Sequence, residues 1–225
     1  ALSVKIVRYL NVLMLVTAAA FASPAAEPGI GPKGSAAVRV MSFNVRCTSV
    51  RGHSRLERVD SVIQTIEAVN PDLLGVQEAT PEWMADLSAR LTAYAFVGVG
   101  RDDGANRGEY SAIFYLKERF EPADSGTFWL SDTPDTPSRS WNSFFHRICT
   151  WAVLRDRQTG LELLHMNTHF DNALIPRKNS VPLILDMAAR YDELPVICTG
   201  DFNTPEVSPL YPALLGGTLG NAKYL

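Results

Sequence analysis

The chain has 225 residues, 46% of them hydrophobic and 20% charged, with a formal net charge of −3. That balance is too apolar for a disordered chain and ordinary for a globular domain. Its slight acidity excludes the basic footprint on which sequence-independent duplex binding runs.

At the front, Lys5 and Arg8 precede an apolar stretch from Val12 to Phe21, and Ala20-Phe21-Ala22 places small residues at cleavage spacing. Residues 1–22 therefore read as a secretory signal peptide, which implies an exported protein, periplasmic or extracellular. The competing reading, a membrane anchor, needs a longer run to span a bilayer comfortably. No Met opens the chain, so its front reads as clipped. Pro24, Pro28, Gly29, Gly31, Pro32 and Gly34 make residues 23–36 a flexible leader. Without residues 1–22 the balance is 19 basic against 24 acidic residues, a net of −5. No linker interrupts residues 37–225, which read as one domain.

Within that domain, Val38 to Phe43 reads as a strand. Ser54 to Val69 reads as a helix with Leu56, Val59, Val62, Ile63, Ile66 and Val69 on one face, opened by a capping box and stopped by Asn70-Pro71. Leu73 to Gln77 is a short buried strand. Thr80-Pro81-Glu82 opens a second helix to about Leu91, with Pro at its first position. Tyr94 to Val99, Ser111 to Leu116 and Gly126 to Leu130 follow as strands, then a Ser/Thr/Pro-rich loop over 131–142. Arg147 to Arg155 and Leu161 to Thr168 form a hairpin. Leu174 to Tyr191 is mainly helical, with Pro182 as an irregularity, and Leu194 to Thr199 is a buried strand. Helices outside strands predict two packed sheets flanked by helices.

Cys47, Cys149 and Cys198 are an odd count, which argues against a disulfide framework. Cys149 and Cys198 lie in apolar runs and read as buried hydrophobes, and Cys47 as near the surface. A Cys47–Cys149 bridge is the less favoured alternative.

Four apolar runs end on chemistry-bearing residues: Asn44, Glu78, His169 and Gly200-Asp201-Phe202-Asn203. Each alone has an ordinary reading, because polar residues are common where strands end. Together they imply one convergent site. A carboxamide and a carboxylate on neighbouring strands make a sparse oxygen site that suits Mg²⁺, which keeps several waters and needs few protein carboxylates. His165, Asn167 and His169 share one strand face. His169 at the end can reach a ligand, and His165, mid-strand, reads as structural. Asp201 and Asn203 should share a face, with Phe202 turned to the core. Asp201 can accept a proton from water, and His169 and Asn203 can donate to a phosphate.

Asn44, Glu78, Asn167-Thr168-His169 and Gly200-Asp201-Phe202-Asn203 resemble, in order and context, the endonuclease/exonuclease/phosphatase superfamily over about residues 37–215. Val97-Gly98-Val99-Gly100-Arg101-Asp102-Asp103-Gly104, Gly108-Glu109, Phe128-Trp129-Leu130-Ser131-Asp132-Thr133-Pro134 and Arg147-Ile148-Cys149-Thr150 look like a bacterial branch near its deadenylase and nocturnin-like members.

The resemblance implies an α/β (α+β) chain with the DNase I-like fold, a four-layer sandwich of two mixed β-sheets flanked by helices. It implies hydrolysis of a phosphodiester or phosphomonoester by in-line water attack with Mg²⁺, Mn²⁺ being the alternative. Carried over, Glu78 and Asn44 would serve the metal and His169 would contact the scissile phosphate. Asp201 would orient or deprotonate the water, and Asn203 would hold nucleophile and phosphate. Glu109 would pair with His169 and raise its pKa. Asn172 would line the site.

Outside that set, Arg101-Asp102-Asp103-Gly104 reads as a rim loop or a solvated turn. Arg101 and Arg147 are candidates to meet phosphate, with Arg139 at the surface by default. Trp129 reads as core, and Trp141 as a candidate for stacking on a base or sugar.

One departure stands out. The family closes its site with a late Asp and a Ser-Asp-His, and no Asp or His follows Asn203 in this sequence. The domain therefore reads as C-terminally truncated, with its last strands missing, a sheet edge left bare, little stability and little activity as given. A non-catalytic binding protein on the same scaffold is the alternative. The expected partner is a phosphorylated small molecule or a single-stranded nucleic acid, met by a monomer with no membrane span after signal removal.

Overall fold

A computed structural model describes residues 37–205, 207–214, 218, 219, 222 and 223. The signal peptide and leader readings lie outside the described residues. In chain order the elements are β1 (Val40–Asn44), α1 (Arg55–Val69), β2 (Leu73–Gln77), α2 (Pro81–Arg90), β3 (Tyr94–Val97), β4 (Ile113–Leu116), β5 (Phe120–Trp129), β6 (Ile148–Asp156), β7 (Glu162–His169), α3 (Leu174–Ala189), β8 (Val196–Asp201), α4 (Leu210–Leu214), β9 (Thr218–Leu219) and β10 (Ala222–Lys223).

Two four-stranded sheets carry the domain, ordered β1-β2-β4-β3 and β5-β6-β7-β8, with β9 and β10 as a separate short pair. Each large sheet contains one parallel pair, β1 with β2 and β7 with β8. Parallel neighbours bring both of their C-terminal ends to the same side. Asn44 pairs in register with Gln77, and His169 with Asp201. The four strand ends singled out in the sequence thus become two adjacent pairs, one per sheet.

Three apolar layers explain the sandwich. Val59, Ile63 and Ile66 of α1 and Trp83 and Leu87 of α2 pack on Met41, Leu74, Val76 and Phe114 of the first sheet. Val181, Ile184 and Met187 of α3 and Leu210 of α4 pack on Cys149, Val153, Leu164 and Met166 of the second. Leu73, Ile113 and Tyr115 meet Phe120, Leu154 and Leu163 between the sheets. Each such side chain stabilises the fold by about 1.5–3 kcal/mol on burial.

The capping box at Ser54 and Glu57 is present, Asn70 closes α1 in the left-handed conformation at φ 47°, and Thr80 caps α2 with Pro81 in its first turn. Leu56, expected on the buried face of α1, is 68% exposed. Pro182 is accommodated inside α3. The sequence reading of β5 began too late, at Gly126. Glu121, Pro122, Asp124 and Ser125 hide its first half, where an edge strand carries a register irregularity between Pro122 and Asp124. Such irregularities and Pro are tolerated at sheet edges. All three cysteines are free thiols, so the alternative Cys47–Cys149 bridge does not form, and Cys198 is only half-buried.

His165 is fully buried on β7, its Nε2 3.0 Å from Thr199 Oγ1. Its Nδ1 is buried with no partner among the described residues. Protonation would place a second N–H there with no acceptor, and burial pulls the imidazole from 6.5 down to about 3. Between those values the unfolded chain holds a proton that the folded chain does not, so stability falls as pH falls. Thermal melts from pH 7 to 5 should show His165→Gln losing less stability than the parent, by about 2 kcal/mol over that range. Equal pH slopes would contradict this account of His165.

Candidate active site

Glu78 follows β2 in a left-handed conformation, φ 58°. A non-glycine residue there is held by its surroundings, and such positions cluster at functional sites. Its Oε1 accepts from Asn44 Nδ2 at 2.7 Å and its Oε2 from the Cys47 N–H at 3.0 Å. Burial opposes ionisation of Glu78, yet these hydrogen bonds from Asn44 and Cys47 outweigh it and hold the carboxyl below its ordinary range. Arg46 Nη1 stands 3.7 Å from the same carboxylate.

From the second sheet come Asp201 and His169. Asn44 Nδ2 also donates to Asp201 Oδ2, at 2.9 Å, so one carboxamide clasps two carboxylates from opposite sheets. His169 Nε2 lies 3.9 Å from that oxygen. Ligand atoms of Glu78, His169 and Asp201 all lie within 4.8 Å of one another. Asn44 differs from its expected role as an oxygen ligand: its NH₂ faces the carboxylates, while its Oδ1 accepts from Arg46 N at 2.9 Å.

His169 is buried, and its Nδ1 has no partner among the described residues. The expected Glu109–His169 pair does not form. Glu109 instead takes a bidentate hydrogen bond from Arg101, at 2.7 and 3.0 Å. The imidazole pKa is depressed to about 4, by burial first and then by the Arg147 charge, with Asp201 and Glu78 pulling the other way. His169 is therefore a neutral donor or acceptor near pH 7.

Asn203 turns just past β8 at φ 46°, its N–H bonded to Asp201 Oδ1 at 3.0 Å and its Nδ2 to Phe170 O at 2.8 Å. It braces Asp201 and the end of β7, and Arg177 donates to its carbonyl. Phe202 is half-buried, edge-on to Phe170 at 5.2 Å.

Arg101 and Arg147 are both buried and flank one ring, with guanidinium carbons 4.9 and 5.2 Å from the Phe145 centroid. Arg147 Nε is 3.7 Å from Asp171, and Nε and Nη1 make no hydrogen bond among the described residues. Burial, then the Arg101 charge, lowers the Arg147 pKa, but an arginine stays charged. Asn172 is exposed where the chain leaves β7 for α3. Asp103 caps its own loop through Ala105 N and Arg107 N, which favours the turn reading of residues 101–104. Trp129 is core, its Nε1 on Arg101 O at 2.8 Å, and Trp141 bonds Asp132. Arg139 is at the surface.

Asp171, which sequence reasoning passed over, is buried and accepts from Ser143 Oγ at 2.8 Å and Phe144 N at 3.0 Å. It thereby holds the loop that carries Phe145. Its place two residues after His169 was the available signal.

A sequence model described as the Endonuclease/Exonuclease/phosphatase family matches residues 41–221. A Bacteroides thetaiotaomicron mannosyl-6-phosphatase structure is 36% identical with a TM-score of 0.76, covering 80% of this chain and 72% of its own. An endonuclease/exonuclease/phosphatase structure from Bacteroides vulgatus is 38% identical with a TM-score of 0.75, covering 78% and 69%. An uncharacterized protein of Acanthamoeba polyphaga mimivirus is 28% identical over 182 residues, 75% of this chain and 68% of that protein.

Proposed function

Because the chain belongs to the Endonuclease/Exonuclease/phosphatase family, we propose that it is a divalent-cation-dependent phosphoester hydrolase, using Mg²⁺, with a phosphorylated small molecule as substrate. The observation that carries this reading is the convergence of Glu78, His169 and Asp201 within 4.8 Å. Two carboxylates clasped by one carboxamide are hard oxygen donors, too few to saturate a cation and open to waters and a substrate phosphate, which fits Mg²⁺. Glu78 and Asp201 would hold it. When bound, the cation would neutralise charge on the phosphoryl and leaving oxygens.

The remaining chemistry falls to the chain. Asp201, braced by Asn203, accepts the proton of an attacking water whose oxygen bonds to phosphorus as the ester P–O bond breaks, and the departing alkoxide takes a proton from solvent. Neutral His169 donates to a phosphoryl oxygen. Arg147, buried beside His169, adds fixed positive charge where anionic oxygens gather, and such preorganised donors need no rearrangement as charge develops. The net charge of −5 expected for residues 23–225 and the mannosyl-6-phosphatase likeness both favour a small monoester over duplex nucleic acid.

The test follows phosphate release from mannose 6-phosphate and p-nitrophenyl phosphate, beside a diester and a single-stranded oligonucleotide. Release with Mg²⁺ that stops on chelation and returns on Mg²⁺ addition is expected. Release indifferent to chelation would contradict the proposal.

A further inference from the structure

We propose that a buried layer of polar side chains between the sheets, centred on Asn167, Gln77 and Thr199, is a positioning unit that fixes the distance between the two halves of the cation site. The inference rests on the cation-site reading above. Glu78 belongs to one sheet and Asp201 and His169 to the other. Between the site and the Arg119 cluster at the far end, the sheets meet through apolar contact, which is non-directional and tolerates small slips. A cation site does not tolerate them, and neither does a hydrolytic one, where about 1 Å of misplacement can cost a hundredfold.

Beneath the site the contact changes character. Asn167 reaches from β7 across the interface, its Nδ2 donating to Val76 O at 2.8 Å and Ala112 O at 2.9 Å. Its Oδ1 accepts from Gln77 Nε2 at 2.7 Å and from Thr199 Oγ1 at 3.0 Å. All four hydrogen-bonding positions of this carboxamide are used, and Asn167 and Gln77 are essentially inaccessible to solvent. Ser42 closes the layer on the β1 side, accepting from Gly200 N at 3.1 Å and Gln77 Nε2 at 3.2 Å.

Each member stands one or two positions before a site residue: Ser42 before Asn44, Gln77 before Glu78, Asn167 before His169, Thr199 before Asp201. The sheets approach so closely here that a Cβ on Gly75 would fall 2.1 Å from Thr199 Oγ1 and 2.6 Å from Asn167 Oδ1. Directional bonds thus replace apolar contact at the depth where four site-bearing strands meet. A fully satisfied buried network of this kind specifies a single arrangement, and residues supporting metal ligands typically matter by 10- to 100-fold in affinity.

The experiment measures Mn²⁺ binding by calorimetry and by the loss of its free-ion paramagnetic signal, beside thermal melts, for the parent, Thr199→Val, Ser42→Ala and Thr199→Ser. Thr199→Val keeps the shape and removes the hydroxyl. Thr199→Ser restores it, and Ser42→Ala tests the layer at a half-buried position should the valine variant fold poorly. We expect Thr199→Val and Ser42→Ala to weaken Mn²⁺ binding by about tenfold or more, with Thr199→Ser close to the parent. Variants that melt lower yet bind Mn²⁺ as tightly as the parent would overturn the proposal and leave the layer a purely structural one. A parent that binds no Mn²⁺ would instead remove the cation-site reading on which the proposal stands.

Discussion

Replacing Glu78 by Gln should lower Mg²⁺-dependent phosphate release by about a thousandfold or more, a loss at the upper end of what deleting one group that stabilises transition-state charge costs. The substitution is nearly isosteric, yet it changes what the site can hold. The carboxylate already takes two hydrogen bonds, from Asn44 Nδ2 and Cys47 N–H, and lies in one small cluster with His169 and Asp201. A neutral amide at this place removes one of the two negative charges that would compensate a dication. The new carboxamide would also turn an NH₂ or a weaker acceptor toward Asn44. The fold should survive, because Glu78 lies outside the apolar core and sits in a left-handed backbone conformation that the surrounding structure imposes. Melting within a few degrees of the parent, with activity gone, is therefore the expected pair of results. A Glu78→Gln variant with parental turnover would remove Glu78 from the site.

The second large effect lies at the opposite end of the sandwich. Arg119 Nη1 is 3.1 Å from Asp72 Oδ1, its Nε and Nη2 donate to Asp156 Oδ2 at 3.2 and 3.0 Å, and its Nη1 also donates to Ala37 O at 2.7 Å. Asp72 precedes β2 of one sheet and Asp156 ends β6 of the other, and all three residues are buried. Burial works against the Asp156 charge, but the Arg119 hydrogen bonds and charge together with the backbone N–H groups of Gln158 and Thr159 outweigh it and hold its pKa down. Arg119→Leu strips both carboxylates of their guanidinium inside the protein. Removing one partner from a buried ionic cluster costs about 3–5 kcal/mol, and denaturant unfolding at neutral pH should show a loss of that size. A loss under about 1 kcal/mol would place the cluster in the class of exposed pairs that contribute little.

How far the sequence alone reached follows from the kind of signal each feature leaves. Helix starts were legible because capping is local: Ser54 with Glu57 and Thr80 with Pro81 declare themselves within four residues. The strand ends Asn44, Glu78, His169 and Asp201 were legible as breaks after apolar runs, and parallel pairing brings them together as expected. Glu109 was not, because its partner is decided across the fold: Arg101, eight residues earlier, outcompetes a buried imidazole for the carboxylate by offering two charged N–H donors. The His169 shift is downward because burial, then the Arg147 charge, outweighs the nearby carboxylates. The first half of β5 escaped because Pro122 and its polar neighbours resemble a loop until an edge position is known. Gln77 and Thr199 looked like ordinary strand residues, and Asn167 stood out only as part of a family-like motif, since only the distance between two sheets gives their polar groups work. The first 36 residues, read as signal and leader, lie outside the described residues.

The central claim is that Glu78 and Asp201, beside His169, form one divalent-cation site. Titration of the chain with Mn²⁺, monitored by calorimetry, tests it most directly. The account predicts a single saturable site in the parent that is lost in Glu78→Gln and in Asp201→Asn. Absence of binding in the parent, or binding that persists unchanged in both variants, would contradict it.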